Sequence, residues 1–535
     1  MDFVELLTLQ NRCLKVIIGE LDRFCHVFNT TKDATLKRNF EFLQRCYSNE
    51  ILQVLSGANA VEKEYFPLLI NKYLKEFNLS ILDGVDGETV TRMIAEIGEG
   101  LIKISFSTHE NLHTIALADI FSHLKNITVL NMEDTCNDDA LKNIAKYCPH
   151  LVELNIADSP ITKEGFSKYL CQKNERNEVP NLNLRRLNLD GTEVDDDVTK
   201  LILTSFPHLE LLEAPCMPCV LHEMHDKDVD QNNIANLKKY KLIHLDAIMC
   251  THLASSPQLL KVYASVCPDV RILTLIVVNP EQLNTLTTFT KLENVNLESD
   301  ESFPLPVANS FLSSRGAGLT VLKLNGFSIS VEVLINSCPR LEELCLKDTF
   351  FQPVAETSKK ELKFLKKIYL EGAVFIDVAT STSLSTLISS TRKLEKICIS
   401  CCGHFTDEFK EAIKYCCINC PLRKVYFYHS ESDLPMLQSI LLSSRSLKVL
   451  RVVNSSLGFQ NLKPEDVELL TAIASSLKNK PEFDFENTES DFNSDDDFHD
   501  ILDLYDVFDD YDAYGDDSGD YDDYDDDDDF DDDDF

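Results

Sequence analysis

Two clusters of cysteine and histidine hold the densest potential chemistry in the 535-residue chain. The run APCMPCVLHEMH brings Cys216, Cys219, His222 and His225 together. Thiolate and imidazole are suitable zinc donors, and C-x-x-C is a usual half-site. Yet four donors within ten residues leave little chain to wrap a tetrahedral ion, and the usual long spacer between pairs is missing. The second cluster is Cys401, Cys402, Cys416, Cys417 and Cys420. Its last three members fall at a helix end and a Cys-Pro step, where a small apolar residue packs into a core. The chain holds no G-x-x-x-x-G-K-[ST] loop, no H-E-x-x-H and no G-x-S-x-G. The expectation is a binding protein that performs no chemistry of its own and carries no metal or cofactor.

The elements that must position any binding residue follow from a repeat. The hexad L-x-x-L-x-L, with aliphatic variants, opens at Leu101, Ile127, Leu151, Leu184, Leu209, Leu242, Val270, Leu292, Leu319, Leu341, Leu365, Leu394, Leu422 and Leu447. Its mean spacing is about 27 residues. Each hexad reads as a short strand by the period-two rule, and the stretches between carry helical spacing, clearest in DDALKNIAKYCPHL. One strand and one helix cannot bury their apolar sides alone, so neighbours must stack. The expected fold is α/β: a horseshoe solenoid over residues 74–477, a small helical segment over 1–73, and an acidic tail over 478–535.

Charge supports that division. Residues 481–535 hold 28 Asp plus Glu and no Lys or Arg, so the formal charge of -38 falls to about -10 for the rest. A tail so rich in Asp cannot offset the entropy of ordering and is expected to be disordered, either solubilising, or capturing basic partners such as histones, or folding back onto its own solenoid. The 18 cysteines lack the spacing of a secreted disulfide framework. With no basic, apolar leader in MDFVELL and no apolar run of spanning length, the expectation is a cytoplasmic or nuclear protein without membrane contact.

Three residues after the hexad stand Thr135, Ser159, Thr192, Cys250, Thr349, Ala373 and Cys402 rather than asparagine. With the Cys-Pro steps, this resembles the cysteine-containing class of leucine-rich repeat found in ubiquitin-ligase receptors. Ahead of the repeats, TLQNRCLKVIIGELDRFC places Leu9, Cys13 and Ile17 four apart on one helical face. Thr8, Leu9, Cys13 and Ile17 match each position of a BC-box. In the proteins it resembles, that helix docks in a groove on elongin C. Phe66, Pro67, Ile70 and Leu74 fit a cullin-2 box, although LKEFNL also reads as a first strand; Tyr47, Ile51 and Leu55 form a second candidate with Ser48 where proline is expected.

Together these features resemble the zyg-type and zer-type VHL-box receptors, without their armadillo-like domain. The resemblance implies elongin B/C and a cullin, cullin-2 foremost, as partners, and an unknown protein substrate. The alternatives are an F-box receptor, for which FPLLINKYL is a possible remnant, an acidic histone-binding chaperone, and a Ran-type GTPase-activating protein.

The residue between the second and third apolar positions runs Asn131, Asn155, Asn188, Glu213, Asp246, Thr274, Asn296, Lys323, Cys345, Tyr369, Cys398, Tyr426, Arg451. Polar and acidic types give way to aromatic and basic ones. Lys367, Tyr369, Lys396, Lys424, Tyr426 and Arg451 are thus the expected substrate-binding residues, suited to an acidic or phosphorylated peptide. The strongly acidic whole argues against a nucleic-acid partner.

Overall fold

The computed structural model describes residues 13–57, 60–82, 84–106, 117–172, 183–214, 217–230, 237–246, 257–303, 305–352, 360–372, 378–401, 405–430, 432–455 and 462–488. Its strands lie side by side in chain order, all parallel. One six-stranded sheet holds β1 (Glu76–Asn78), β2 (Lys103–Ser105), β3 (Val129–Asn131), β4 (Glu153–Asn155), β5 (Arg186–Asn188) and β6 (Leu211–Glu213). The second sheet runs β7 (His244–Asp246), β8 (Ile272–Ile276), β9 (Asn294–Phe303), β10 (Val321–Ser330) and β11 (Glu343–Lys347). It continues through β13 (Lys367–Glu371), β14 (Lys396–Ser400), β15 (Lys424–Tyr428), β16 (Val449–Ser455) and β17 (Glu482–Thr488), with β12 (Phe350–Gln352) paired to the end of β10. The chain is thus α/β, with helices returning between successive strands.

The hexads set the register. Phe77, Ile104, Leu130, Leu154, Leu187 and Leu212 pair in sequence across the first sheet, and Leu344, Ile368, Ile397, Val425 and Leu450 across the second. All of these are buried, as is every residue that opens a hexad. Each leucine so buried contributes about 1.5–3 kcal/mol before its ordering cost. Cys148, Cys267, Cys338 and Cys420, the Cys-Pro cysteines, are buried in the same core. Burial pushes the Cys148 and Cys338 thiols up to about 12, which suits packing rather than nucleophilic work.

Helix starts are chemically marked. The side chains of Asn137, Asp195, Ser330, Thr406 and Asp433 each accept an N–H from the first turn of the helix they precede. The turn after eight of the described strands is equally regular. Two residues past the hexad the backbone is left-handed at Asp134, Asp158, Gly191, Gly326, Asp348, Gly372, Cys401 and His429. A Cβ on Gly191 would meet Asp158 Oδ1 at 1.7 Å, and one on Gly372 would meet Asp348 Oδ1 at 2.1 Å, so these turns stack closely from strand to strand. At the next residue Thr135 donates to the Met132 carbonyl at 3.1 Å. Ser159 donates to that carbonyl at 3.2 Å and accepts the Cys136 N–H. Short hydroxyls therefore do the work of the missing asparagine; Cys250, Ala373 and Cys402 lie outside the described residues.

Each end of the array carries a strand of its own. Leu74, Phe77 and Leu79 form a hexad of their own around β1 and are buried, so the last position of the Phe66 cullin box doubles as the start of a strand. At the other end, part of the stretch assigned to the acidic tail is ordered as β17, which pairs with β16 from Val449–Glu482 to Ser455–Thr488. Phe483 and Phe485 pack on the core there, an alternation hidden in sequence by the surrounding acids.

Candidate protein-binding face

Alternation along each strand sends one set of side chains into the helix-packed core and the other to the opposite face. On β13 the inward pair is Ile368 and Leu370, leaving Lys367, Tyr369 and Glu371 outside. Register carries this across the sheet in three rows. One row is Glu343, Lys367, Lys396, Lys424, Val449; the next Cys345, Tyr369, Cys398, Tyr426, Arg451, Asp484; the third Lys347, Glu371, Ser400, Tyr428, Val453. All six residues expected to bind substrate therefore stand on one face of four neighbouring strands.

That face is more than a solvated surface. Cys345, Tyr369, Cys398, Tyr426, Tyr428 and Val453 form a second apolar cluster, separate from the main core. Tyr369 and Tyr426 are only 2% and 3% exposed, and the rings of Tyr426 and Tyr428 stack with centroids 6.1 Å apart. Lys396, 5% exposed, places its ammonium 5.0 Å from the Tyr369 centroid and 5.6 Å from that of Tyr426. An ammonium between two rings is attracted by their quadrupoles, by about 2 kcal/mol or more where water is excluded. Around this centre Lys367 pairs with Glu343 at 3.3 Å, Lys347 with Glu371 at 3.4 Å, and Arg451 with Asp484 at 3.2 Å. Sequence reasoning reached only Tyr428 of the third row and missed Asp484. The residue after each hexad marks that row, and Asp484 became visible only once β17 was placed.

The same face of the first sheet is built differently. Asn78, Asn131, Asn155 and Asn188 each accept the backbone N–H two residues on, at 2.9–3.0 Å. Beside them, burial together with Asp190, Asp246 and Glu153 raises the Glu213 carboxyl to about 7. Burial also raises that of Glu133, against hydrogen bonds from Asn131 and Asn155. At its free edge Asn49, on the helix Ala34–Gly57, accepts the Lys75 N–H at 3.0 Å and donates to the Glu76 carbonyl at 3.1 Å. A groove of about 620 Å³ lies between that helix and β1–β4.

The adaptor-binding candidates fall at the N-terminal helices. Thr8 and Leu9 lie outside the described residues. Cys13 is exposed on a helical stretch over 13–19, next to Val16, which is 66% exposed, while Ile17 is half-buried against the core. Phe66 and Pro67 begin the short helix Phe66–Leu69, with Pro67 in its first turn and exposed, Phe66 buried and Ile70 half-buried. In the second candidate box, Ile51 and Leu55 are buried, and Ser48 accepts a hydrogen bond from Asn71 at 2.9 Å.

Among the described residues no group of three or more His, Cys, Asp or Glu side chains is placed to hold a metal ion. Cys216 and Cys402 lie outside them; His225 shares a 2.9 Å hydrogen bond with the Tyr240 hydroxyl, and Cys416, Cys417 and Cys420 are core residues. No described helix is long and apolar enough to cross a membrane.

No protein-family model and no curated protein matches the chain. Among solved structures, the crystal structure of a Rad7 and Elc1 complex in yeast is similar over 87% of this chain and 96% of that one, at 17% identity and a TM-score of 0.37.

Proposed function

We propose that this chain is a leucine-rich-repeat substrate receptor of a cullin-RING ubiquitin ligase. Its N-terminal helix docks on elongin B/C through Thr8, Leu9, Cys13 and Ile17, and the Lys–Tyr face of β13–β16 holds a protein substrate. The observation that carries the binding reading is the gathering of Lys367, Tyr369, Lys396, Lys424, Tyr426 and Arg451 on one sheet face. Rings and cations in a partly dry patch are the usual anchors of a protein interface, and they favour a carboxylate-rich or phosphorylated partner. The exposed Cys13 and Val16 supply the surface a groove-binding helix needs. Such a receptor acts by proximity, raising the effective concentration of substrate near a recruited enzyme, and is itself no catalyst. Free thiols at the buried cysteines suit a reducing compartment, cytoplasm or nucleus.

The test is a pull-down of recombinant elongin B/C and, separately, of the Skp adaptor with the full chain and with a Leu9→Ala, Cys13→Asp double variant. Elongin capture lost in the variant supports the reading. Skp capture alone moves the chain to the F-box class, and capture of neither refutes a ligase role. Independently, Lys424→Glu is expected to weaken binding of a captured acidic substrate at least tenfold, whereas Lys103→Glu, in the corresponding row of the first sheet, changes it less than twofold.

A further inference from the structure

The chain carries a ligand of the chemistry its own face selects. Residues 489–535 contain 25 Asp plus Glu, ten Phe plus Tyr and no Lys or Arg. They follow directly from β17, the last strand of the sheet, which borders the Lys–Tyr face. The acidic run begins to pair on that face within β17 itself. Asp484 stands opposite Arg451 in the row of Tyr426 and meets it at 3.2 Å, and Glu482 occupies a flanking row. Moving inward from β17, the next cations are Lys424, Lys396 and Lys367, one per strand in a single row, beside the Tyr369, Tyr426 and Tyr428 rings. Adjacent strands are about 4.8 Å apart and an extended chain rises about 3.3 Å per residue, so under ten residues beyond Thr488 cross from β17 to β13.

We propose that the acidic segment 489–535 folds back over the β13–β16 face, its carboxylates on Lys367, Lys396 and Lys424 and its aromatic rings against the tyrosine cluster. The chain thereby occupies its own binding face, and a substrate must displace this segment. This rests on the reading of that face as the ligand surface, but not on elongin binding or on any ligase. Tethering makes the contact intramolecular, at an effective concentration in the millimolar range for a short linker, so weak individual contacts suffice. Salt screens such contacts strongly.

The experiment is zero-length carboxyl-to-amine cross-linking of the full chain at about 20 mM salt, with peptide mapping of the monomer fraction. A second chain of equal length carries Asn at every Asp beyond residue 489. The expected result is cross-links from 489–535 to Lys367, Lys396 or Lys424, lost in the Asn chain and at about 0.5 M salt. Amine labelling of Lys424 should then be at least threefold faster in the Asn chain. Cross-links confined to a dimer fraction would overturn the proposal in favour of exchange between copies. Cross-links spread equally over lysines outside this face, such as Lys103 and Lys142, would overturn it in favour of unspecific attraction, and none at all would overturn it outright. Because the readout needs no adaptor, failure to bind elongin leaves this outcome legible, and the reverse also holds.

Discussion

The six-stranded sheet and the β13–β16 region use one plan for opposite surfaces. Both put a hexad leucine or isoleucine into the core and turn sharply through a left-handed residue. They differ in the side chain at the next strand position. On β1, β3, β4 and β5 it is asparagine, whose side-chain oxygen is spent on the turn that follows. On β13, β14 and β15 it is tyrosine or cysteine, which packs across strands instead. A repeat can thus keep its core constant and change what its open face offers by altering one residue in about 27.

The largest test of this contrast compares Tyr426→Ala with Asn155→Ala, which occupy the same row. Losing a ring that is 3% exposed should cost about 3–4 kcal/mol and loosen β14–β16. Losing the asparagine should cost about 1 kcal/mol, felt in its own turn and at its neighbour Glu133. Hydrogen exchange resolved by peptide would show equal effects if the tyrosine cluster were a mere surface.

A smaller effect tests what the two regions share. Gly191→Ala and Gly372→Ala should each cost about 2 kcal/mol, from the left-handed backbone and from crowding against Asp158 and Asp348. Urea unfolding should find the two losses similar, and a large difference would mean that the turns are not equivalent.

The smallest effect belongs to the first sheet alone. Because the folded protein holds the Glu213 carboxyl at about 7, above its usual value, it binds a proton that the unfolded chain has released between pH 4.5 and 7. Stability then falls as pH rises through that window. Glu213→Gln should be about 1 kcal/mol more stable than wild type at pH 8, after discounting for partial exposure, and the two should converge near pH 4, below the unfolded carboxyl's value. A gap independent of pH would show that the carboxyl titrates normally.

Much of this was legible in the sequence. The hexads named both the buried row and the open one, because an alternation of two leaves no choice of side once the core residues are known. They did not reveal that Tyr369, Lys396 and Tyr426 are buried, since period alone assigns a face and says nothing of what packs over it. Leu74 was read partly as a docking residue because a box motif and a strand hexad ask for the same apolar types. β17 was lost in the acidic composition that surrounds Phe483 and Phe485. The second cysteine cluster was legible for a different reason, since the helix end and the Cys-Pro step already assign Cys416, Cys417 and Cys420 to the core in which they lie.

Asn49 gives the array a direction of growth. A row of parallel strands added one after another has a first edge that no later repeat covers, and an unpaired parallel edge is a template for another molecule's last strand. Head-to-tail addition of that kind does not close on itself and builds an open fibre. The Asn49 side chain presents to β1 a carbonyl and an amide in place of a neighbouring backbone. The helix Ala34–Gly57 therefore occupies two backbone groups of that first edge as well as packing on it, which leaves fewer of them for a strand of another molecule.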